Sequence, residues 1–266
     1  MRRQSLMSLA IAVWIAPTAA LAYPGGTPNY QTDVAPFCAS CHSSRQVESL
    51  AGAGERAEKE LAERKHIAVI VSGQEGYASL SEADRDTLVK QIRALDEASS
   101  VNLEAPSAVK AGETFRVTVR VTGGGGPAIG VALVDTNHRW YARPAASAGW
   151  SVVATPEITG ADGQLRNDWI AKRPDSAGRN LSFVNVTGIS SDSAMQQWDS
   201  ASVVFTLRAP DRPGSYPLAA AYWYGTEKST LLGYKTNAMG QKEVRGGFGG
   251  GSGRLLFTAV SQIQVQ

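Results

Sequence analysis

Five consecutive residues hold most of the chemistry of this chain: Cys38-Ala39-Ser40-Cys41-His42. Two thiols three positions apart can form thioether bonds to the two vinyl groups of one haem, and the imidazole that follows is placed to ligate the iron. Cys38 and Cys41 are the only cysteines of the chain, so no other pairing competes for them. A redox disulfide of the thioredoxin kind needs a surrounding βαβ pattern, and residues 28–45 show no strand ahead of the motif. A structural zinc site needs four ligands, whereas the chain has three histidines and no further cysteine. The motif therefore predicts one covalently bound haem c, attached at Cys38 and Cys41, with His42 as the proximal iron ligand.

The segment ahead of the motif agrees with that chemistry. Arg2 and Arg3 form a basic start, residues 6–15 an apolar core, and Ala20-Leu21-Ala22 a small-residue cleavage site. This is the pattern of a secretory signal peptide over residues 1–22, and it predicts a periplasmic or otherwise exported protein. No later apolar stretch has the length of a membrane span, so the mature chain is expected to carry no integral membrane segment. The whole chain has 26 basic and 24 acidic residues. Without Arg2 and Arg3 the balance is zero, which gives no electrostatic footprint for nucleic acid. The charges are unevenly divided: residues 23–100 hold 8 Lys/Arg against 12 Asp/Glu, and residues 101–266 hold 16 against 12. Such opposed halves attract one another or steer separate partners.

Composition changes near residue 100, from a helical pattern rich in Ala, Glu and Arg to one dominated by Val, Thr, Gly, Ser and Pro. The expected division is a haem-bearing unit over residues 23–98 and a second unit over residues 99–266, with Ala98-Ser99-Ser100 as linker. In the first unit a helix is predicted from Glu55 to Val71, stopped by Gly73. Another runs from Glu82 to Leu95, capped by Ser81 with Asp84 three residues on; Leu88, Ile92 and Leu95 give it one apolar stripe. Residues 25–97 resemble the class I monohaem cytochromes c. The likeness is carried by Cys38-Ala39-Ser40-Cys41-His42, the stretch Val69-Ile70-Val71-Ser72-Gly73-Gln74-Glu75-Gly76-Tyr77, and Leu80-Ser81-Glu82-Ala83-Asp84. The resemblance implies a small helical domain and a methionine on the distal side of the iron, just ahead of the last helix. Tyr77 stands at that place, and no methionine occurs between His42 and Met195. His66 is the other histidine of this unit and the first candidate for the distal ligand; Tyr77 is the alternative. A solvated His66 and an open, five-coordinate iron are the remaining readings.

The second unit reads as all-β. Residues 114–121 alternate with period two and end at Gly123-Gly124-Gly125-Gly126. Further strands are predicted at 129–134, 181–186, 202–207, 215–223 and 255–265, and short strands with frequent turns favour a β-sandwich. Val109-Lys110-Ala111-Gly112-Glu113-Thr114-Phe115 and Ala209-Pro210-Asp211-Arg212-Pro213-Gly214-Ser215-Tyr216 resemble immunoglobulin-like domains, and the region is diffusely similar to reeler-like domains. The expected fold class is thus multidomain, α plus all-β: a small helical cytochrome c domain followed by an antiparallel β-sandwich. With His138 its single histidine and no cysteine, the β unit cannot build a blue-copper site. His138 reads as a loop residue. At least one ring of Tyr222-Trp223-Tyr224 is expected to face outward, and Gly246–Gly253 to form a mobile hairpin loop.

Three functions follow from these residues. The first is an exported electron carrier, rather than an enzyme, whose covalent haem performs one-electron transfer while the β unit docks redox partner proteins. The second is a haem enzyme or a gas or peroxide sensor with an open or weakly ligated distal site. The third is a β-sandwich binding protein with an accessory haem. No Ser/His/Asp or Cys/His arrangement for hydrolysis is present, since both thiols and His42 are committed to haem.

Overall fold

The computed structural model describes residues 62–137, 142–166, 181–246 and 252–266. The signal segment, the Cys38–His42 motif and His138 lie outside the described residues, as does the start of the helix predicted from Glu55.

β-Sheet is the main regular structure of the described chain, arranged as two packed layers. One sheet has the order β1-β3-β8-β5, formed by Ser100–Glu104 (β1), Thr114–Thr122 (β3), Ser200–Arg208 (β8) and Ser151–Val152 (β5), with Glu157–Gly160 (β6) also paired to β8. The other has the order β2-β13-β9-β4-β7, formed by Ala108–Val109 (β2), Ser261–Val265 (β13), Gly214–Gly225 (β9), Gly125–Val134 (β4) and Phe183–Thr187 (β7). Gly253–Phe257 (β12) pairs with the second half of β9, and β13 with its first half. The run 255–265, read from sequence as one strand, is therefore two: Thr258 is still held to β9, its amide donating to the Ala220 carbonyl (3.0 Å) and its hydroxyl accepting from the Ala220 amide (2.9 Å), and regular pairing resumes only at Ser261. Tyr234–Thr236 (β10) and Lys242–Val244 (β11) make a separate hairpin.

Alternation explains the first layer. In β3, Val117, Val119 and Val121 are buried, and the antiparallel register sets them opposite Phe205, Val203 and Ala201 of β8. A period of two puts each set on one face, turned to the second sheet. Ile129, Val131 and Leu133 of β4 and Leu218, Ala220, Tyr222 and Tyr224 of β9 complete the core from the other side. Fully burying each Val, Leu or Ile side chain of this set contributes about 1.5–3 kcal/mol before entropy is counted. Trp150 fills one end: its ring meets Phe115 and Tyr216 edge to face (5.6 and 5.8 Å between centroids), and its Nε1–H donates to the Pro217 carbonyl (2.9 Å).

Tyr222, Trp223 and Tyr224 are all buried, against the expectation that one ring faces out. The outer face of the second sheet has its own apolar cover: Trp223 packs there with Phe183, Ala132, Ala221 and Leu255, and meets Phe183 edge to face at 5.8 Å.

The expected fold class needs correction. Among the described residues no small helical cytochrome domain is present. Longer helical structure amounts to a π-helical turn at Glu63–Ile67, continued by Ala68–Val71 (α1), and the helix Glu82–Ala98 (α2), with short 3-10 turns elsewhere. The physical reason is where the apolar faces go. Ile67, Ile70, Tyr77, Leu80, Leu88, Val89 and Ile92 close one small cluster with Leu232 of the β unit. Leu95, one turn further along α2, belongs to the sandwich core itself. The stripe Leu88–Ile92–Leu95 is buried as expected, but it is divided: Leu88 and Ile92 pack in the small cluster and Leu95 in the sandwich core. The Ser81 cap also forms, accepting from the Asp84 amide (3.2 Å) and donating to its carboxylate (2.7 Å). α2 ends at Ala98 and β1 begins at Ser100; Ser99 between them is buried, donates to the Leu95 carbonyl (2.7 Å) and accepts from the Gly124 amide (3.0 Å). Among the described residues no helix is long and apolar enough to cross a membrane.

Candidate functional site

Where the helical segment meets the sandwich, a group of ionisable side chains is buried, with Asp96 at its edge 27 % exposed. The sandwich supplies its part through register. Tyr224 on β9 lies directly opposite Arg254 on β12, so both side chains rise on the same face. Both reach Asp96 of α2: Tyr224 Oη donates to Oδ1 (2.9 Å), and Arg254 Nε donates to Oδ2 (2.9 Å) and Oδ1 (3.1 Å). Just past the end of β9, a 3-10 turn at Glu227–Ser229 turns the Glu227 carboxylate inward, where it is fully buried.

The helical segment supplies the other half. His66 sits on the π-helical turn and is buried; Tyr77 lies in the 3-10 turn Glu75–Tyr77 and is buried. Tyr77 Oη donates to Glu227 Oε1 (2.6 Å), and Thr226 Oγ1 donates to Oε2 (2.7 Å). His66 Nε2 forms a short hydrogen bond with the same Oε1 and lies 3.1 Å from Tyr77 Oη. Arg254 Nη2 lies 3.1 Å from His66 Nδ1. The two ring nitrogens of His66 thus face Arg254 and Glu227. Gly246 lets the chain pass close by: a Cβ there would stand 2.5 Å from Tyr77 Oη and 2.8 Å from Ser252 Cβ. Arg245 adds a further tie, donating to the Gly76 carbonyl (2.7 Å) and to Ser79 Oγ (2.8 Å).

The electrostatics follow from burial opposed by partners. Burial alone would raise the Glu227 pKa, but His66 and the hydrogen bonds from His66, Tyr77 and Thr226 outweigh it and hold the carboxyl at about 2. Burial, reinforced by the Glu227 carboxylate, pushes the Tyr77 phenol far above its ordinary value. Burial opposes the Arg254 cation, but Asp96 first and then Tyr224 and Glu227 leave its pKa above the usual guanidinium value. Glu227 is thus an ionised carboxylate in a dry site, Tyr77 a firmly protonated donor and Arg254 a permanent cation.

A pH dependence of stability comes with this arrangement. A carboxyl whose folded pKa is below its unfolded value stabilises the fold above the unfolded pKa, and loses that contribution as pH falls through the folded one. For Glu227 the window runs from 4.5 down to about 2. The lowering corresponds to about 3 kcal/mol. Urea unfolding midpoints should be level near neutral pH and drop between pH 4.5 and 2; in Glu227→Gln that part of the drop should be missing.

The sequence-predicted site residues are thus distributed in two groups. Cys38, Cys41 and His42 lie outside the described residues. His66 and Tyr77, the two distal candidates, are brought together. Both ring nitrogens of His66 are engaged, and the Tyr77 hydroxyl is spent on an ionised carboxylate. Iron ligation by His66 requires giving up the bond to Arg254 or to Glu227, and ligation by Tyr77 requires losing a proton beside a negative charge. As arranged, these donors do not fit an axial position. Among the described residues no group of three or more His, Cys, Asp and Glu side chains is placed to hold a metal ion. Sequence reasoning missed Glu227, Arg254 and Asp96, which lie 161, 188 and 30 residues from His66. One signal was available: Glu227 follows the run Ala219–Gly225, a strand buried on both faces, where a carboxylate needs a partner. No known protein family matches this chain, and no curated protein matches it significantly.

Proposed function

We propose that this chain is an exported c-type cytochrome that carries one covalent haem and serves one-electron transfer. The reading rests on one observation, the run Cys38-Ala39-Ser40-Cys41-His42 in a chain with no other cysteine. The haem, when bound, supplies an iron that cycles between two oxidation states without bond chemistry. The chain's own residues do the rest: Cys38 and Cys41 tether the group and His42 holds the iron from the proximal side. The β-sandwich is the docking module for a redox partner protein. Its excess of basic residues over residues 101–266 suits an acidic partner surface, since complementary charge speeds encounter.

Redox-titrated absorption spectroscopy of the protein produced in a host that matures c-type haem tests the reading. The expected result is a reversible spectral transition with a single midpoint, attached to the chain after denaturation. A protein that holds no chromophore, or one that cannot be cycled, rules the reading out.

A further inference from the structure

The geometry points to a site, at the Trp150 end of the sandwich, for a small organic acid whose carboxylate is carried on a six-membered ring. Residues of the β8–β9 turn and of the stretch 149–151 line an open pocket of about 380 Å³, within the size of small-molecule sites. Two of the lining residues are arginines, Arg208 and Arg212. The Arg208 guanidinium gives Nη2 to Asp211 Oδ1 (2.8 Å) and has no other partner among the described residues. The Arg212 guanidinium has no partner among them at all. Asp211 is the one carboxylate lining the pocket, and it is 76 % exposed. Two cations against one anion leave the rim positive, with most of its donors unspent. A guanidinium fork takes a carboxylate in two parallel hydrogen bonds.

The floor of the pocket is apolar and stiff. Tyr216 and Pro210 supply its flat surfaces. The Trp150 ring meets Tyr216 edge to face at 5.8 Å, and Tyr216 Oη donates to the Arg212 carbonyl (2.9 Å). The Gly112 amide donates to the Pro210 carbonyl (3.2 Å), and the Ala209 amide to the Glu113 carbonyl (2.8 Å). Pro210 and Pro213 each fix a φ angle of the turn. Gly149 holds a left-handed conformation (φ 95°), and a Cβ there would stand 3.1 Å from Pro210 Cγ, so a side chain at this position would crowd the wall. A pocket braced in this way is formed before its ligand arrives, and binding loses little to ordering. The ring of a cyclic acid then lies on Tyr216 and Pro210 while its carboxylate meets the guanidiniums at the rim. Residues 38–42 take no part, so the site stands apart from the haem.

Isothermal titration calorimetry of the full-length protein at neutral pH tests the site, with benzoate and glucuronate as probes and benzyl alcohol and glucose as their neutral counterparts. The expected result is saturable binding of one equivalent of at least one acid. Arg212→Gln and Arg208→Gln should each weaken it about tenfold or more, through the lost charge-assisted hydrogen bonds, and added salt should weaken it as well. The acid that binds tells an aromatic source from a sugar source. The Arg212 side chain holds nothing else among the described residues, so Arg212→Gln should unfold at the parent's urea midpoint. It carries the test even where Arg208→Gln, which breaks the pair with Asp211, is not recovered. No saturable binding of either acid, equal affinity for a neutral counterpart, or binding unchanged in Arg212→Gln overturns the inference.

Discussion

Glu227→Ala should lower the unfolding free energy by about 3–5 kcal/mol, the cost of removing one partner from a buried ion network. The carboxylate is the acceptor on which three donors converge: His66 Nε2, Tyr77 Oη and Thr226 Oγ1. Without it, a buried hydroxyl and a buried ring proton lose their partner, and Arg254 keeps Asp96 as its counter-charge but loses the nearby Glu227. The substitution also leaves a void, which adds to the loss. Glu227→Gln keeps the shape and one acceptor oxygen and should cost clearly less. Chemical denaturation at neutral pH, with the two variants side by side, checks this. Equal, small losses in both would mean that the cluster contributes little to holding the helical segment on the sandwich.

Trp150→Ala should cost a similar amount, about 3–5 kcal/mol, the range for removing a buried tryptophan or phenylalanine ring. Here the loss has separate parts. The indole closes one end of the core between Phe115 and Tyr216, and edge-to-face pairs contribute about 0.5–1.5 kcal/mol beyond their area. Its Nε1–H satisfies the Pro217 carbonyl, which a cavity leaves unpaired. Trp150→Phe should recover most of the packing and lose the hydrogen bond. Thermal and urea unfolding measure both. A loss in Trp150→Ala below that of an ordinary surface change would contradict the placement of this ring in the core.

The β-sandwich was legible because its signals are local. The alternation of residues 114–121 gives a strand with one buried face wherever the partner strand lies, and the Ser81–Asp84 cap is a contact within four residues. What was not legible depended on distant pairings. The stripe Leu88–Ile92–Leu95 announces a buried face but not its partners, which are divided between the preceding helical segment for Leu88 and Ile92 and the sandwich core for Leu95. The rings of Tyr222-Trp223-Tyr224 were split between an inner and an outer face, as period two requires; that the outer face is covered as well depends on Phe183 and Leu255, which no local pattern connects to Trp223. The ionic cluster is the extreme case. His66 and Tyr77 drew notice as possible iron ligands because of what they are. Their partners Glu227 and Arg254 stand 161 and 188 residues from His66, in a 3-10 turn and a short strand that no local pattern connects to it. Among the described residues the opposed charges of the two halves meet at the Arg254–Asp96 pair (2.9 Å).

The central claim is that Cys38 and Cys41 tether a haem, and intact mass spectrometry of the denatured protein from an exporting, haem c-maturing host tests it most directly. The account predicts the mass of the chain plus one haem, falling to the bare chain in the double variant Cys38→Ala/Cys41→Ala. A bare wild-type chain, with its two thiols free or joined as a disulfide, would contradict it.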